Sequence, residues 1–297
     1  MNKRPTDRRV AFIGIGNLGE SMVLNLLDRG WDVTVLDRTA GRLESVTAAG
    51  AAAAPDLSDL KDHDIICLAV PDDDAVTQIA LGPSGLVHQL QPHQSLIVHS
   101  TILPATAQSL GEQFEAAGVG FLDAPVSGGA ARARRGELTL MVGATVAAVS
   151  AVKELFNDVA SEVIHLGLPG AGAATKLANQ LMMFSALAGA HEALALAAAY
   201  GVDETDVLKA LSTSTGDTWV GRNWGFFDGV AAEYNRLGTP LRDRPWSKDL
   251  TEVVTAARSA DISVPLAALL AQTLPRLVEE HATVSTPTLE TKGDTHE

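Results

Sequence analysis

The chain has 297 residues, 46% of them apolar and 20% charged, enough for two ordinary cores and too apolar for a disordered polymer. Its 36 acidic and 22 basic residues leave a formal charge of -14, which argues against a nucleic-acid surface or a polybasic membrane anchor, since both need a positive field. The single cysteine, Cys67, argues against an intrachain disulfide or a thiolate zinc cluster and fits a reducing, cytoplasmic compartment.

The opening MNKRPTDRR is basic and polar and gives way at once to VAFIGIG, too short for a signal-peptide core. Apolar runs at residues 10–15, 32–36, 65–70, 95–99 and 121–123 read as strands buried on both faces, as in a parallel sheet. Helical patterns at 19–29 and 104–117 lie between them, so the order reads as βαβ units of a doubly wound α/β domain. Two more strands are expected at 138–142 and 163–166, with one helix over 145–159 between them.

Gly14-Ile15-Gly16-Asn17-Leu18-Gly19 is a GxGxxG placed directly after a strand and before a helix. In that setting glycine permits a tight turn and close backbone approach to a pyrophosphate, and the helix N-terminus supplies amide donors and positive dipole. Eighteen residues after Gly19, Asp37 ends the next strand, where a carboxylate accepts from the ribose hydroxyls of a dinucleotide. Arg38 beside it can bind a 2′-phosphate or stack on adenine. The pair favours NAD over NADP.

Asp123-Ala124-Pro125-Val126-Ser127-Gly128-Gly129 follows the 121–123 strand, and Ser127, Gly128 and Gly129 can offer a hydroxyl and adjacent amides to an oxyanion. Composition changes after Gly167, and the boundary is placed near Leu166. A dinucleotide-binding domain over 1–166 is expected to precede an all-helical domain over 167–282, with a disordered tail over 283–297. Residues 177–200 are apolar enough to pass for a membrane span, but Asn179, Gln180, His191 and Glu192 interrupt them, so a long buried helix is expected and no membrane partner. Near its start Lys176 and Asn179 stand three apart on one helix face. Gly201-Val202-Asp203 breaks the helix, and Asp203 can cap the next. Lys248 and Asp249 lie in the helical half, a lysine being more often solvated than functional and an aspartate more often a partner or cap. The eight histidines show no metal spacing, and no metal site is expected.

Taken in order, GIGNLGESM at 14–22, HST at 99–101, DAPVSGG at 123–129, GELTLMVGA at 136–144, GAGAATKLANQ at 170–180 and SKDL at 247–250 resemble the β-hydroxyacid dehydrogenase family. The resemblance covers residues 10–278. It implies a Rossmann-type domain with a helical domain behind it, pyrophosphate at the Gly14–Gly19 loop, and Val70, Pro71 and Thr101 beside the nicotinamide. It further implies a substrate carboxylate at Ser127, Gly128 and Gly129, Lys176 as catalytic acid/base supported by Asn179, and Lys248 at the cofactor and substrate site. Family members commonly form homodimers or homotetramers. The reaction implied is NAD(P)-dependent interconversion of a small 3-hydroxy acid and its semialdehyde. An imine reductase, which usually carries Asp or Tyr in place of the lysine, and a noncatalytic nucleotide-binding relative are the alternatives. The stretch 212–225, with Trp219, Asn223 and Trp224, should line the substrate pocket and matches no single substrate, and Arg242, Arg244 and Trp246 are unusual as well.

Overall fold

The computed structural model of the chain describes residues 8–285. These form two compact units, the first ending at Leu177 and the second beginning at Ala178. The first unit is built on nine strands: β1 (Arg9–Ile13), β2 (Asp32–Leu36), β3 (Ala52–Ala53), β4 (Ile65–Leu68), β5 (Ser95–Val98), β6 (Gly120–Asp123), β7 (Val126–Ser127), β8 (Leu138–Ala144) and β9 (Ala160–Gly167). Strands β1 to β6 are parallel in the order 3-2-1-4-5-6, the doubly wound arrangement in which ligands bind where the order reverses, beyond β1 and β4.

The apolar runs are continuous because both faces of the sheet are covered. Val10 and Phe12 point into one core with Met22, Val23 and Leu26, while Ala11 and Ile13 point into the other with Leu110 and Phe114. Past β6 the pattern departs from an all-parallel sheet. β8 runs antiparallel to β6, pairing Asp123 with Gly143, and antiparallel to β7, pairing Val126 with Leu140. The segment from Asp123 to Ser127 is therefore held along a neighbouring strand and is not a loose turn. β9 then pairs with β8 in parallel and is longer than the 163–166 run suggests.

The single helix expected over 145–159 is two, Val146–Ala151 and Lys153–Val159. They part at Val152, whose ψ of 11° leaves the helical range. The helix Pro104–Ala116 begins on proline, which lacks the N–H that a first turn cannot use.

The second unit is helical throughout its described residues, around a core of Phe184, Leu187, Phe227, Trp246, Leu250 and Leu274. The helix Ala171–Ala199 starts within the first unit, so the units part eleven residues after the boundary expected at 166. Asp203 accepts from Thr205 N–H at the start of Glu204–Leu211, after Gly201 turns the chain at φ 77°. The expectation of a buried long helix does not hold within this chain. Only 17% of its most apolar window is buried, because the helix is apolar on nearly every side and its own unit covers one of them. The final helix Pro265–Ser285 takes in the first three residues of the expected tail; residues 286–297 and the basic opening 1–7 lie outside the described residues.

Candidate active site

The loop after β1 is shaped by three glycines with different duties. Gly14 adopts φ 94°, and a Cβ there would stand 2.4 Å from Ala69 O, so the turn against β4 admits no side chain. A Cβ on Gly19 would stand 2.0 Å from Gly14 O, which is how the helix Asn17–Asp28 packs so close to the strand that feeds it. A Cβ on Gly16, by contrast, meets nothing within 4 Å. Open space over Gly16, with Asn17 and Leu18 in the first turn beyond it, fits the close backbone approach that a pyrophosphate requires. The residues present therefore suit a dinucleotide.

Asp37 stands at the end of β2 with its side chain nearly covered. Its Oδ2 accepts from Ile15 N–H at 2.7 Å and its Oδ1 from Thr39 N–H at 2.8 Å. The carboxylate thus braces the glycine loop, and each oxygen retains acceptor capacity, since a carboxylate has about four lone-pair sites. Arg42 lies 3.9 Å from Oδ2, and Arg38 follows Asp37 in the chain, exposed. At the end of β4, Val70 N–H donates to Ser100 Oγ at 2.9 Å, which ties Val70 and Pro71 to the residue preceding Thr101.

The second part of the site is the segment along β8. Asp123 is fully buried; its Oδ1 accepts from Gly170 N–H at 2.9 Å and its Oδ2 from Ala173 N–H at 2.7 Å, at the start of the lysine-bearing helix. Burial pushes its carboxyl up to about 6, against the pull of those backbone donors. Three residues on, Val126 O accepts from Lys176 Nζ at 2.9 Å. Lys176 is half-buried and is not the solvated side chain that a lone lysine would suggest. Ser127 ends the segment, with Gly128 at φ 134° and Gly129 at φ 69°. A Cβ on Gly128 would press on Arg132 Cβ at 3.0 Å, so the backbone conformation here depends on glycine. Glycine loop, Asp37, Val70, Ser127–Gly129 and Lys176 all belong to the first unit.

His99 supports this segment from beneath. Its Nδ1 lies 2.9 Å from Ala124 O, which can only accept, so Nδ1 carries the proton. Burial lowers its pKa to about 4, only partly offset by that bond, and the ring stays neutral and stacked near Phe12.

The second unit holds the other residues the sequence singles out. Asn179 Nδ2 donates to Gln180 Oε1 at 3.1 Å, and Gln180 Nε2 donates to Asp249 Oδ2. Lys248 Nζ meets Asp249 Oδ1 at 3.0 Å and Glu252 Oε1 at 2.9 Å. Asn179 and Lys248 are thus joined through Gln180 and Asp249. Lys248 is 18% exposed; burial alone would lower its pKa, and the two carboxylates overcome this and raise it. Trp224 packs edge-on against His191 and His281 and donates to Glu204, while Trp219 packs on Phe226. Arg244 is a brace, clamping Glu279 at 2.7 Å and donating to Asn235 Oδ1 and Thr239 O. Among the described residues, Arg242 pairs with its neighbour Asp243 at the surface.

Sequence reasoning passes over Asp123, His99 and Gln180 as participants; Asp249, read as a partner or cap, is a partner of Lys248. The one available signal was an aspartate at the carboxyl end of a strand in an α/β sheet, directly before the SGG turn.

A model of the NAD-binding domain of 6-phosphogluconate dehydrogenase matches residues 9–167, and a model described as the NAD-binding domain of NADP-dependent 3-hydroxyisobutyrate dehydrogenase matches 170–285. A 3-hydroxyisobutyrate dehydrogenase of Pseudomonas aeruginosa is 31% identical over 264 residues, 88% of this chain and 89% of that one. An NAD-dependent L-serine dehydrogenase of the same organism is 31% identical over 267 residues, with the same shares. The crystal structure of a 3-hydroxyisobutyrate dehydrogenase from Salmonella typhimurium superposes with a TM-score of 0.75 at 27% identity, covering 94% of this chain and 95% of that one. Both halves of the chain, and nearly its whole length, carry the same likeness: it belongs to the β-hydroxyacid dehydrogenase family of NAD(P)-dependent oxidoreductases.

Proposed function

We propose that the chain interconverts a small 3-hydroxy acid and its semialdehyde, with Lys176 as the proton-transfer group. The observation that carries this reading is the hydrogen bond from Lys176 Nζ to Val126 O, which fixes the amine beside the Ser127–Gly129 turn. Ser127, Gly128 and Gly129 hold the substrate carboxylate through hydroxyl and backbone donors. In oxidation, neutral Lys176 takes the proton of the substrate hydroxyl as the carbonyl forms; in reduction its ammonium returns that proton to the carbonyl oxygen. When bound, the nicotinamide supplies the two-electron chemistry, taking or giving a hydride at the substrate carbon. The two named relatives are dehydrogenases of 3-hydroxyisobutyrate and L-serine, both 3-hydroxy carboxylates, which supports the substrate class.

NAD is the preferred cofactor in this reading, because the Asp37 carboxylate offers acceptors to ribose hydroxyls and repels a 2′-phosphate. A second copy of the chain covers the apolar face of the long helix, where Met182 is 74% and Leu196 64% exposed.

The test is a spectrophotometric screen of small 3-hydroxy acids and semialdehydes with both cofactors, followed by Lys176→Ala. That variant should lose about 10²–10⁴-fold in turnover and keep its affinity for NAD, which the glycine loop holds. A variant retaining more than about a tenth of its turnover rules out the role given to Lys176. Turnover of cyclic imines in place of any hydroxy acid rules out the substrate class. A monomeric mass by light scattering at micromolar concentration rules out the second copy.

A further inference from the structure

One fully buried charged group beside the proposed lysine has no part in the reading above. Asp123 ends β6, and among the described residues no side-chain cation pairs with it. Its two carboxylate oxygens instead reach Gly170 N–H and Ala173 N–H, across the start of the helix that bears Lys176. The space for the carboxylate is kept clear by glycines on two other elements. A Cβ on Gly143 of β8 would stand 2.4 Å from Asp123 Oδ1, and one on Gly172 would stand 2.8 Å from Oδ2.

We propose that Asp123 is the positioning residue for Lys176, fixing the helix start by its carboxylate while Val126 O fixes the amine. This rests on the role proposed for Lys176. Both anchors belong to one short stretch of chain. Asp123 and Val126 are three residues apart, and each is paired to β8, Asp123 to Gly143 and Val126 to Leu140. Ser127 follows at once, paired to Thr139. Lys176 stands three residues beyond Ala173, less than one helical turn from the anchored N–H. Backbone of the carboxylate-binding turn and backbone of the lysine helix are thereby referred to the same strand. Reacting groups must be held within fractions of an ångström, and a misplacement of about 1 Å costs on the order of 100-fold in rate. A carboxylate suits this task better than an amide, since it accepts at both oxygens and the helix N-terminus favours negative charge.

The test is a double-mutant cycle on the full chain, read with 3-hydroxyisobutyrate or whichever 3-hydroxy acid the screen identifies. Asp123→Asn keeps the size of the side chain but turns an N–H₂ donor toward one of the two backbone N–H groups. We expect kcat to fall about 10- to 100-fold, with KM and the NAD affinity, titrated separately, within about threefold of the parent. In a Lys176→Ala background the same substitution should cost less than about threefold more, because the group it positions is gone. An equal fractional loss in both backgrounds, or no loss in the parent, overturns the proposal. A Lys176→Ala protein that keeps its turnover instead removes the reading beneath it, and is told apart by that single variant. Where Asp123→Asn does not fold, Asp123→Ser carries the same cycle; failure of both to fold makes Asp123 a folding residue only and overturns the proposal too.

Discussion

In the sheet unit, Asp37, Asp123 and His99 bond to backbone: Asp37 to Ile15 and Thr39 N–H, Asp123 to Gly170 and Ala173 N–H, His99 to Ala124 O. In the helical unit, the charges of Lys248 and Arg244 are met by carboxylates of other side chains, Asp249, Glu252 and Glu279, although Arg244 also donates to Thr239 O. The contrast has an energetic meaning. A buried polar group tied to backbone keeps its partner whatever neighbouring residues become, whereas a buried ion pair fails when either member is replaced. The buried polar groups of the sheet unit are thus held by partners that substitution does not remove. The helical unit depends on pairs of side chains that substitution can separate.

The largest effect expected from this contrast is on Arg244, whose side chain is 8% exposed. Arg244→Met leaves Glu279 without its guanidinium and should destabilise the second unit by about 3–5 kcal/mol, seen as an earlier denaturant transition in that half. Adding Glu279→Gln should recover much of the loss. If the double variant is no better than the single one, packing of the arginine stem and not charge pairing holds this corner together.

Next comes the acid limb of the sheet unit. Unfolded, His99 takes a proton near pH 6.5; folded, it does so only near about 4. Between those values the unfolded chain binds more protons, so this group makes stability fall as pH drops from 6.5 to 4. Asp123 acts in the opposite sense, because its folded value is raised to about 6 from an ordinary 3.8 and the folded chain binds the extra proton. Replacing His99 isolates the first contribution. His99→Asn, which keeps a donor for Ala124 O, should flatten the pH dependence by about 3 kcal/mol across that window. Denaturant titrations at pH 7, 5.5 and 4 measure it, and an unchanged slope means His99 is protonated in the folded state.

The smallest effect concerns cofactor choice. If NAD is preferred as proposed, Asp37→Ala should narrow that preference over NADP by about 1–3 kcal/mol, 5- to 150-fold. It also removes the brace on Ile15 N–H, so affinity for both dinucleotides should weaken somewhat. A parent protein that prefers NADP would transfer the decision to Arg38 and Arg42.

The same contrast explains what the sequence discloses. Gly14, Gly16, Gly19 and the strand before them form a local unit whose spacing alone dictates a turn, so loop, strand and following helix are legible together. The parallel core is legible because continuous apolar runs have few other uses. β3 and β7 are two residues each, too short for any period to register. The break at Val152 carries no proline or glycine to mark it. Asp123 is visible as a motif letter, but its partners Gly170 and Ala173 lie 47 and 50 residues away and use backbone that every residue has. Gln180 and Asp249 are 69 apart on different helices, and nothing in either neighbourhood names the other. The long helix misled for the opposite reason: its composition shows how much apolar surface it carries, and does not show that its own unit leaves most of it uncovered.

Cys67 sits in β4, between β1 and β5, with its side chain wholly buried and its thiol pushed far up by that burial. A sulfur so placed is inert to alkylation and oxidation while the strand is paired, because the reactive thiolate cannot form there. Its modification therefore clocks the opening of the sheet at the very strand pair beyond which a dinucleotide would lie. The chain carries a built-in stopwatch: the rate at which a thiol reagent consumes its sole cysteine measures how often the middle of the sheet comes apart. The slowing of that rate by added NAD measures binding to the closed form, with no label, no substrate and no turnover required.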